Sequence, residues 1–91
     1  MKKLPRITNM QSPQGNPIPN QFIINDGNRE IFKSYESIIA IIEKDKVTLD
    51  EKKWNYSNTT GKYRNIFLGE TRKETERKIK AKIYKLKNLN A

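Results

Sequence analysis

The apolar residues of this chain gather in three short runs, Phe22–Ile24, Ile38–Ile42 and Ile66–Leu68. The longest holds five residues, whereas a helix that crosses a bilayer needs about 20. Runs of this size can nucleate only a small core. A chain of 91 residues with 34% hydrophobic content forms one domain at most, and a domain this small buries only about 60% of the surface its unfolded form exposes. The clustering of those few apolar residues argues against disorder of the whole chain. The fold must therefore be a small sheet closed by one or two helices.

The first half reads as strands. Gln21 to Asn25 is β-branched and aromatic, Asn25-Asp26-Gly27-Asn28 follows, and Arg29 to Tyr35 resumes with Ile31 and Phe32. Asp-Gly readily takes the positive φ angles of a type I′ turn, so this stretch predicts a hairpin. Ser37 to Glu43 carries four isoleucines and one alanine. Such residues lose χ1 freedom in a helix, which favours a strand; an amphipathic helix over 36–44 is the alternative. Lys44-Asp45 makes a tight polar turn into Lys46–Leu49, where Val47 and Leu49 share a face, so a second hairpin is expected. Apolar residues at both parities of Ile38–Ile42 make that strand central, covered on both faces or by a helix on one.

Residues 1–20 hold all four prolines and no periodicity. They read as a flexible or loosely docked tail, with Lys2, Lys3 and Arg6 as a basic arm. The folded domain is expected to span 21–91. No apolar segment follows Met1-Lys2-Lys3, so no signal peptide is expected, and the expected location is the cytoplasm.

The second half is helical. Ser57 and Asn58 suit an N-cap, and Tyr63, Ile66 and Phe67 fall at i, i+3, i+4. Lys62, Arg64 and Asn65 are expected to face the other way. This predicts a helix over about 58–68, ended by Gly69 in an αL cap. Gly61 costs about 1 kcal/mol relative to Ala inside a helix; either backbone or a phosphate approaches closely there, or the helix starts after it. Thr71-Arg72-Lys73-Glu74 fits a capping box and opens a second helix over about 71–81, whose clear apolar anchor is Ile79. The end, Lys82 to Leu89, fits a strand with Tyr84 and Leu86 on one face, or a continued helix with Ile79, Ile83 and Leu86 in a stripe. The strand reading places lysines on a sheet edge, where they block unwanted pairing. The fold expected is α+β: a small antiparallel sheet of about four or five strands with two helices.

Charge separates the two halves. Residues 1–51 carry seven Lys/Arg and seven Asp/Glu, so the net charge of +9 resides in residues 52–91. A field this one-sided favours a polyanionic partner. The chain has no cysteine and no histidine, which removes disulfides, thiolate metal sites and the commonest general base. Serines 34, 37 and 57 therefore have no histidine to activate them. Asp50-Glu51 could hold a divalent cation, but solvated turn carboxylates are far commoner. Gly61-Lys62 lacks the upstream glycine of a phosphate loop. The expectation is a protein that is not an enzyme, without cofactor or metal.

Nucleic-acid binding fits the remaining features. Phosphate contacts come from Lys/Arg, small hydroxyls and helix N-termini. Ser57, Thr59, Thr60, Lys62 and Arg64 bring these together at one helix start. Trp54 and Tyr56 just upstream could stack on bases, although core packing is the commoner use of a lone Trp and the alternative for Tyr63, and helix capping is an equal use of the hydroxyls. Arg72, Lys73, Arg77, Lys78 and Lys80 extend the basic surface along the second helix. Two helices joined at Gly69 imitate a helix-turn-helix, but the second lacks the apolar stripe that would anchor it.

The run LDEKKWNYSNTTGKYRNIFLGE, with TRKETERKIK after it and SPQGNPIPNQFII before it, resembles a family of small uncharacterised bacteriophage proteins. That family shows a W-x-YS-x-TT-x-K-x-R-x-x-FL-x-E pattern, matched here by Trp54, Tyr56, Ser57, Thr59, Thr60, Lys62, Arg64, Phe67, Leu68 and Glu70, with Leu89-Asn90 near the end. The resemblance covers about residues 11–90. It implies phage origin and two roles: an accessory protein bound to DNA or RNA, or an inhibitor of a bacterial defence system, anti-CRISPR-like, docking on a host protein or ribonucleoprotein. Neither role involves a membrane.

Overall fold

Residues 6–90, the part of the chain that the computed structural model describes, form six strands and two helices. The strands are β1 (Arg6–Gln11), β2 (Pro17–Asn25), β3 (Arg29–Ser34), β4 (Ser37–Glu43), β5 (Lys46–Asp50) and β6 (Lys85–Lys87). The helices, α1 (Asn58–Leu68) and α2 (Arg72–Lys80), lie between β5 and β6. The strands stand in one sheet in sequence order. Pairs from β1 to β5 are antiparallel, and β6 runs parallel to β5. A parallel pair requires a long crossover, which the two helices supply. The architecture is α+β as expected, but with six strands and a mixed sheet. No helix among the described residues is long and apolar enough to cross a membrane.

The first six described residues correct the tail reading for its described part, 6–20. β1 pairs with β2 from Arg6↔Asn25 to Asn9↔Phe22, then again at Gln11↔Pro17. Pro17 and Pro19 are tolerated because β3 begins pairing with β2 only at Gln21↔Ser34, so that end of β2 has an open side. The Asn9 side chain bridges the irregular register by donating to the Ile18 and Gln21 carbonyls at 2.6 and 3.0 Å. Lys2 and Lys3 of the expected basic arm lie outside the described residues.

Turn chemistry sets the registers of β2 to β5. The Asp26-Gly27 hairpin forms, but only Gly27 has positive φ, at 92°, so glycine occupies the first central position instead of both central residues turning as in type I′. At the next hairpin but one, Lys44 and Asp45 both take positive φ, 50° and 63°. The I′ pattern thus appears where no glycine marks it. Between these, the register slips at Phe32/Lys33, leaving Ile39 as an extra residue on β4. The bulge puts both Ile39 and Ala40 in the core.

Ile23, Phe32, Ala40 and Leu49 form one row across the sheet. Met10, Phe32, Ile39, Ala40, Leu49 and Tyr84 make up the buried core, against which Tyr63, Phe67, Leu68 and Ile79 pack. The Phe32 and Phe67 rings stack at 5.6 Å, a pair worth about 1 kcal/mol beyond its area. Side chains alternate along strands, so the next row, Ile7, Ile24, Ile31 and Ile41, lies on the face away from the helices. β4 is central as expected, with helices over one face.

Both helices have the termini their sequences encode. Ser57 caps α1 by accepting from the Thr60 N–H at 3.1 Å, and Gly69 ends it in αL. Thr71 and Glu74 form the reciprocal capping box of α2. The inner stripe of α1, however, is Thr60, Arg64, Phe67 and Leu68, at i, i+4, i+7, i+8. Ile66, expected inside, is 58% exposed. Thr60 is inside because its hydroxyl bonds the Ser34 hydroxyl at 2.9 Å. Gly61 lies within the helix, so the helix does not begin after it.

Candidate nucleic-acid interface

At about 100° per residue, Arg72, Lys80, Lys73 and Arg77 fall within an arc of about 140° on α2. All four are exposed. The single acid among them is Glu76, which pairs with Arg72 at 3.5 Å, both side chains well solvated. Such an i, i+4 surface pair is weak, so the arc keeps most of its positive field.

Lys78 does not belong to this arc. Its ammonium bonds Glu70 Oε1 at 2.8 Å and lies 3.4 Å from the Tyr84 hydroxyl. Glu70 Oε1 also accepts from the Tyr84 hydroxyl at 2.6 Å, and Oε2 from the Thr75 hydroxyl at 2.6 Å. The bond from Glu70 raises the Lys78 pKa. Burial works against the Glu70 carboxylate, but donors from Lys78, Thr75 and Tyr84 outweigh it and hold its pKa below the usual value. Burial, with Glu70 beside it, raises the Tyr84 pKa. This cluster anchors α2, a helix whose apolar contacts are few.

The start of α1 forms a cleft of about 310 Å³ lined by Ser57, Asn58, Gly61, Lys62, Arg64 and Arg72, with Asn55 and Asn65 at its sides. Three of its residues are cations and none is an acid. A second cleft, at the hairpin ends beside Arg29 and Lys44, also has Glu30 and Asp45 in its wall, so its charges balance. Arg72 belongs to both the first cleft and the α2 arc, and joins them into one basic surface.

Arg64 reverses its sequence expectation. It is fully buried. Its guanidinium lies 5.1 Å from the Trp54 ring and donates through Nη1 to the Trp54 carbonyl. Asn55 Oδ1 at 3.3 Å and Asn65 Oδ1 at 3.0 Å complete its acceptors. Burial, then the neighbouring Arg72, pushes its pKa down. Trp54, half-buried between the core and Arg64, is not a free ring for base stacking.

The other predicted positions divide. Ser57 is the cap, Thr59 and Lys62 are exposed, and Lys62 leans over the Tyr63 ring at 5.5 Å. Tyr56 is 44% exposed with the Lys53 ammonium 5.2 Å above it. Thr60 is fully buried and faces the sheet, its hydroxyl already bonded to that of Ser34. The structure adds Asn55 and Asn65, which sequence reasoning did not place at the site, and puts Gly61, where a close approach of backbone or phosphate was one of two expectations, in the cleft wall. No spacing in the sequence marks the two asparagines, which become acceptors only once Arg64 is turned inward.

Asp50 is a structural carboxylate. It is buried, accepting from the Lys53 N–H at 2.8 Å and the Lys52 N–H at 3.2 Å on one oxygen and from the Leu89 N–H at 2.8 Å on the other. Burial opposes its charge, but these backbone donors lower its pKa. No group of three or more potential acidic metal ligands occurs among the described residues.

The fold and this surface define a small α+β protein with one cationic face. A family profile matches residues 6–84, and the chain belongs to that family, DUF8033, a family of unknown function. No curated protein matches the chain, and no solved structure does.

Proposed function

We propose that the protein binds nucleic acid through its phosphate backbone, using the outer arc of α2 and the cleft that Arg72 shares with it. The observation that carries this reading is the arc: four exposed cations and one acid on a single helix face. From Arg72 to Lys80 the helix rises about 12 Å, a length over which duplex DNA presents about seven charges. No aromatic side chain stands on the arc, and Trp54 is committed to the core and Arg64. Binding of this kind reads charge and spacing more than base identity. The bacteriophage resemblance supplies a setting, an accessory protein acting on DNA or RNA in the host cytoplasm. The alternative of a defence inhibitor with a buried aromatic anchor would rest on Tyr56, the exposed ring of this region.

Fluorescence anisotropy with labelled single- and double-stranded DNA and RNA tests the proposal. Affinity should fall steeply with salt. Replacing Lys73, Arg77 and Lys80 together by alanine should reduce the log–log salt slope by about 2–3. Absence of binding to every form at low salt, or binding indifferent to salt, would overturn it.

A further inference from the structure

We infer that the cleft at the start of α1 is a discrete site for one phosphate group, held by the first-turn amides of α1 and the guanidiniums of Arg64 and Arg72. This deepens the nucleic-acid reading and rests on it only for where the phosphate comes from.

Arg64 is the first reason. A guanidinium with no solvent exposure is ordinarily paired with a carboxylate. Here its acceptors are a carbonyl and two side-chain amides, all neutral, and its Nε has no partner. The charge is buried beside a cleft that has cations in its wall and no acid.

The helix start is the second. The Ser57 hydroxyl takes the Thr60 N–H, and the Ser57 carbonyl takes the Gly61 N–H. The first-turn donors left over are those of Asn58 and Thr59. α1 carries no acid in its first turn, whereas α2 has Glu74 there. The positive end of the α1 dipole therefore faces the cleft without a protein anion to meet it.

Gly61 is the third. A Cβ at this position would lie 3.8 Å from both Arg64 Nη atoms and 3.6 Å from Asn55 Oδ1. A glycine there keeps any side chain from coming between the guanidinium and the cleft that both residues line. The unpartnered Arg64 Nε, the Arg72 guanidinium and the two remaining first-turn amides around one cleft suit a tetrahedral oxyanion with several acceptor oxygens. The cleft is large enough for a phosphate with a chain leaving it. An internal phosphodiester and a terminal phosphomonoester share this chemistry.

The test is a titration of the full chain with inorganic phosphate, followed by amide and Arg side-chain NMR, against sodium chloride of equal ionic strength. Phosphate should move the Asn58 and Thr59 amides and the Arg64 Nε–H saturably, and chloride should not. Arg72→Ala, at an exposed position, should weaken phosphate binding about tenfold, the scale of one charge-assisted hydrogen bond. Gly61→Ala should weaken it while leaving the fold intact, which keeps the test independent of Arg64 variants that fail to fold. Shifts that are absent, unsaturable, or unchanged in both variants would overturn the inference. Oligonucleotides with a 5′-phosphate or a 5′-hydroxyl then separate the sources: preference for the phosphate end assigns a terminal group, equal affinity an internal one. Nucleic-acid binding that survives while phosphate moves nothing rejects the site and spares the α2 arc. Phosphate binding without nucleic-acid binding does the reverse.

Discussion

The Tyr84 hydroxyl donates to Glu70 Oε1 at 2.6 Å, so the entry to β6 is tied to the junction between α1 and α2. Glu70 is nearly covered, its side chain 5% exposed, and it holds three donors at once. Removing one member leaves the others short of partners in a partly dry site, where unmade bonds are expensive. Tyr84→Phe should cost about 1.5 kcal/mol and Glu70→Gln about 2–3 kcal/mol, measured as shifts in urea midpoint at constant m-value. The folded Glu70 pKa is depressed, so the stabilisation is present above the unfolded value of about 4.3. It is lost as pH falls through the lower folded value. Glu70→Gln should therefore flatten the stability-versus-pH curve below about pH 5.

Asp50 joins the end of β5 to the C-terminal segment. Its Oδ1 accepts the Leu89 N–H at 2.8 Å, and the next residue, Asn90, pairs its amide with both the N–H and the carbonyl of Ile38 at 2.7 and 3.0 Å. Two side chains thus close the sheet beyond the short β6. Asp50→Asn should cost about 2 kcal/mol, because an anion accepting three backbone N–H groups becomes a neutral amide. The depressed Asp50 pKa places this loss at neutral pH as well, with the wild-type advantage fading as pH drops below about 4. Hydrogen exchange of the Leu89 amide should speed up in Asp50→Asn, and Asn90→Ala should expose the Ile38 amide. Unchanged exchange at both would refute the clamp.

How much of this was legible follows from the range of each interaction. The caps at Ser57, Gly69 and Thr71–Glu74 and the turn at Lys44-Asp45 are settled within four residues, and all appear where local chemistry puts them. The alternation of Tyr84 and Leu86 likewise marks a strand entry. The parallel pairing of β6 with β5 spans a two-helix crossover and leaves no local trace. β1 and the start of β2 were hidden by the prolines around and within them; those of β2, Pro17 and Pro19, lack donors that would matter only where a second strand pairs. Arg64 was misplaced because a hydrophobic stripe was sought where Thr60 and Arg64 fill two of its positions. Neutral acceptors from Trp54, Asn55 and Asn65 make that burial possible, and no spacing rule foretells them.

The Lys44-Asp45 turn stores removable strain. Both residues sit at positive φ, which costs an L-residue roughly 1–2 kcal/mol, less for Asp. Asn-Gly suits the same backbone. Lys44→Asn with Asp45→Gly should stabilise by about 1 kcal/mol, which raises Tm by about 4–8 °C in a domain of this size. The turn is exposed and remote from α1 in sequence, so the gain should add to those of other sites. A lower Tm would show that the register depends on Lys44 or Asp45 side chains.

Gly61 offers a different trade. It lies inside α1 and is buried, and it is not among the residues at positive φ. Nothing in its backbone conformation demands glycine. An added Cβ would meet Asn55 Oδ1 at 3.6 Å and the Arg64 nitrogens at 3.8 Å, ordinary contact distances that need no shift. Alanine is favoured over glycine in a helix interior by about 1 kcal/mol, and it also narrows the unfolded ensemble. Gly61→Ala should therefore raise the thermal midpoint by about 4–8 °C, read by circular dichroism without ligand. A midpoint that falls instead would mean that the guanidinium of Arg64 cannot yield any space, and that glycine is required for packing. A midpoint that rises shows the chain keeping a less stable residue beside Arg64, a buried cation with no ion-pair partner among the described residues, as expected where stability has been exchanged for a binding site.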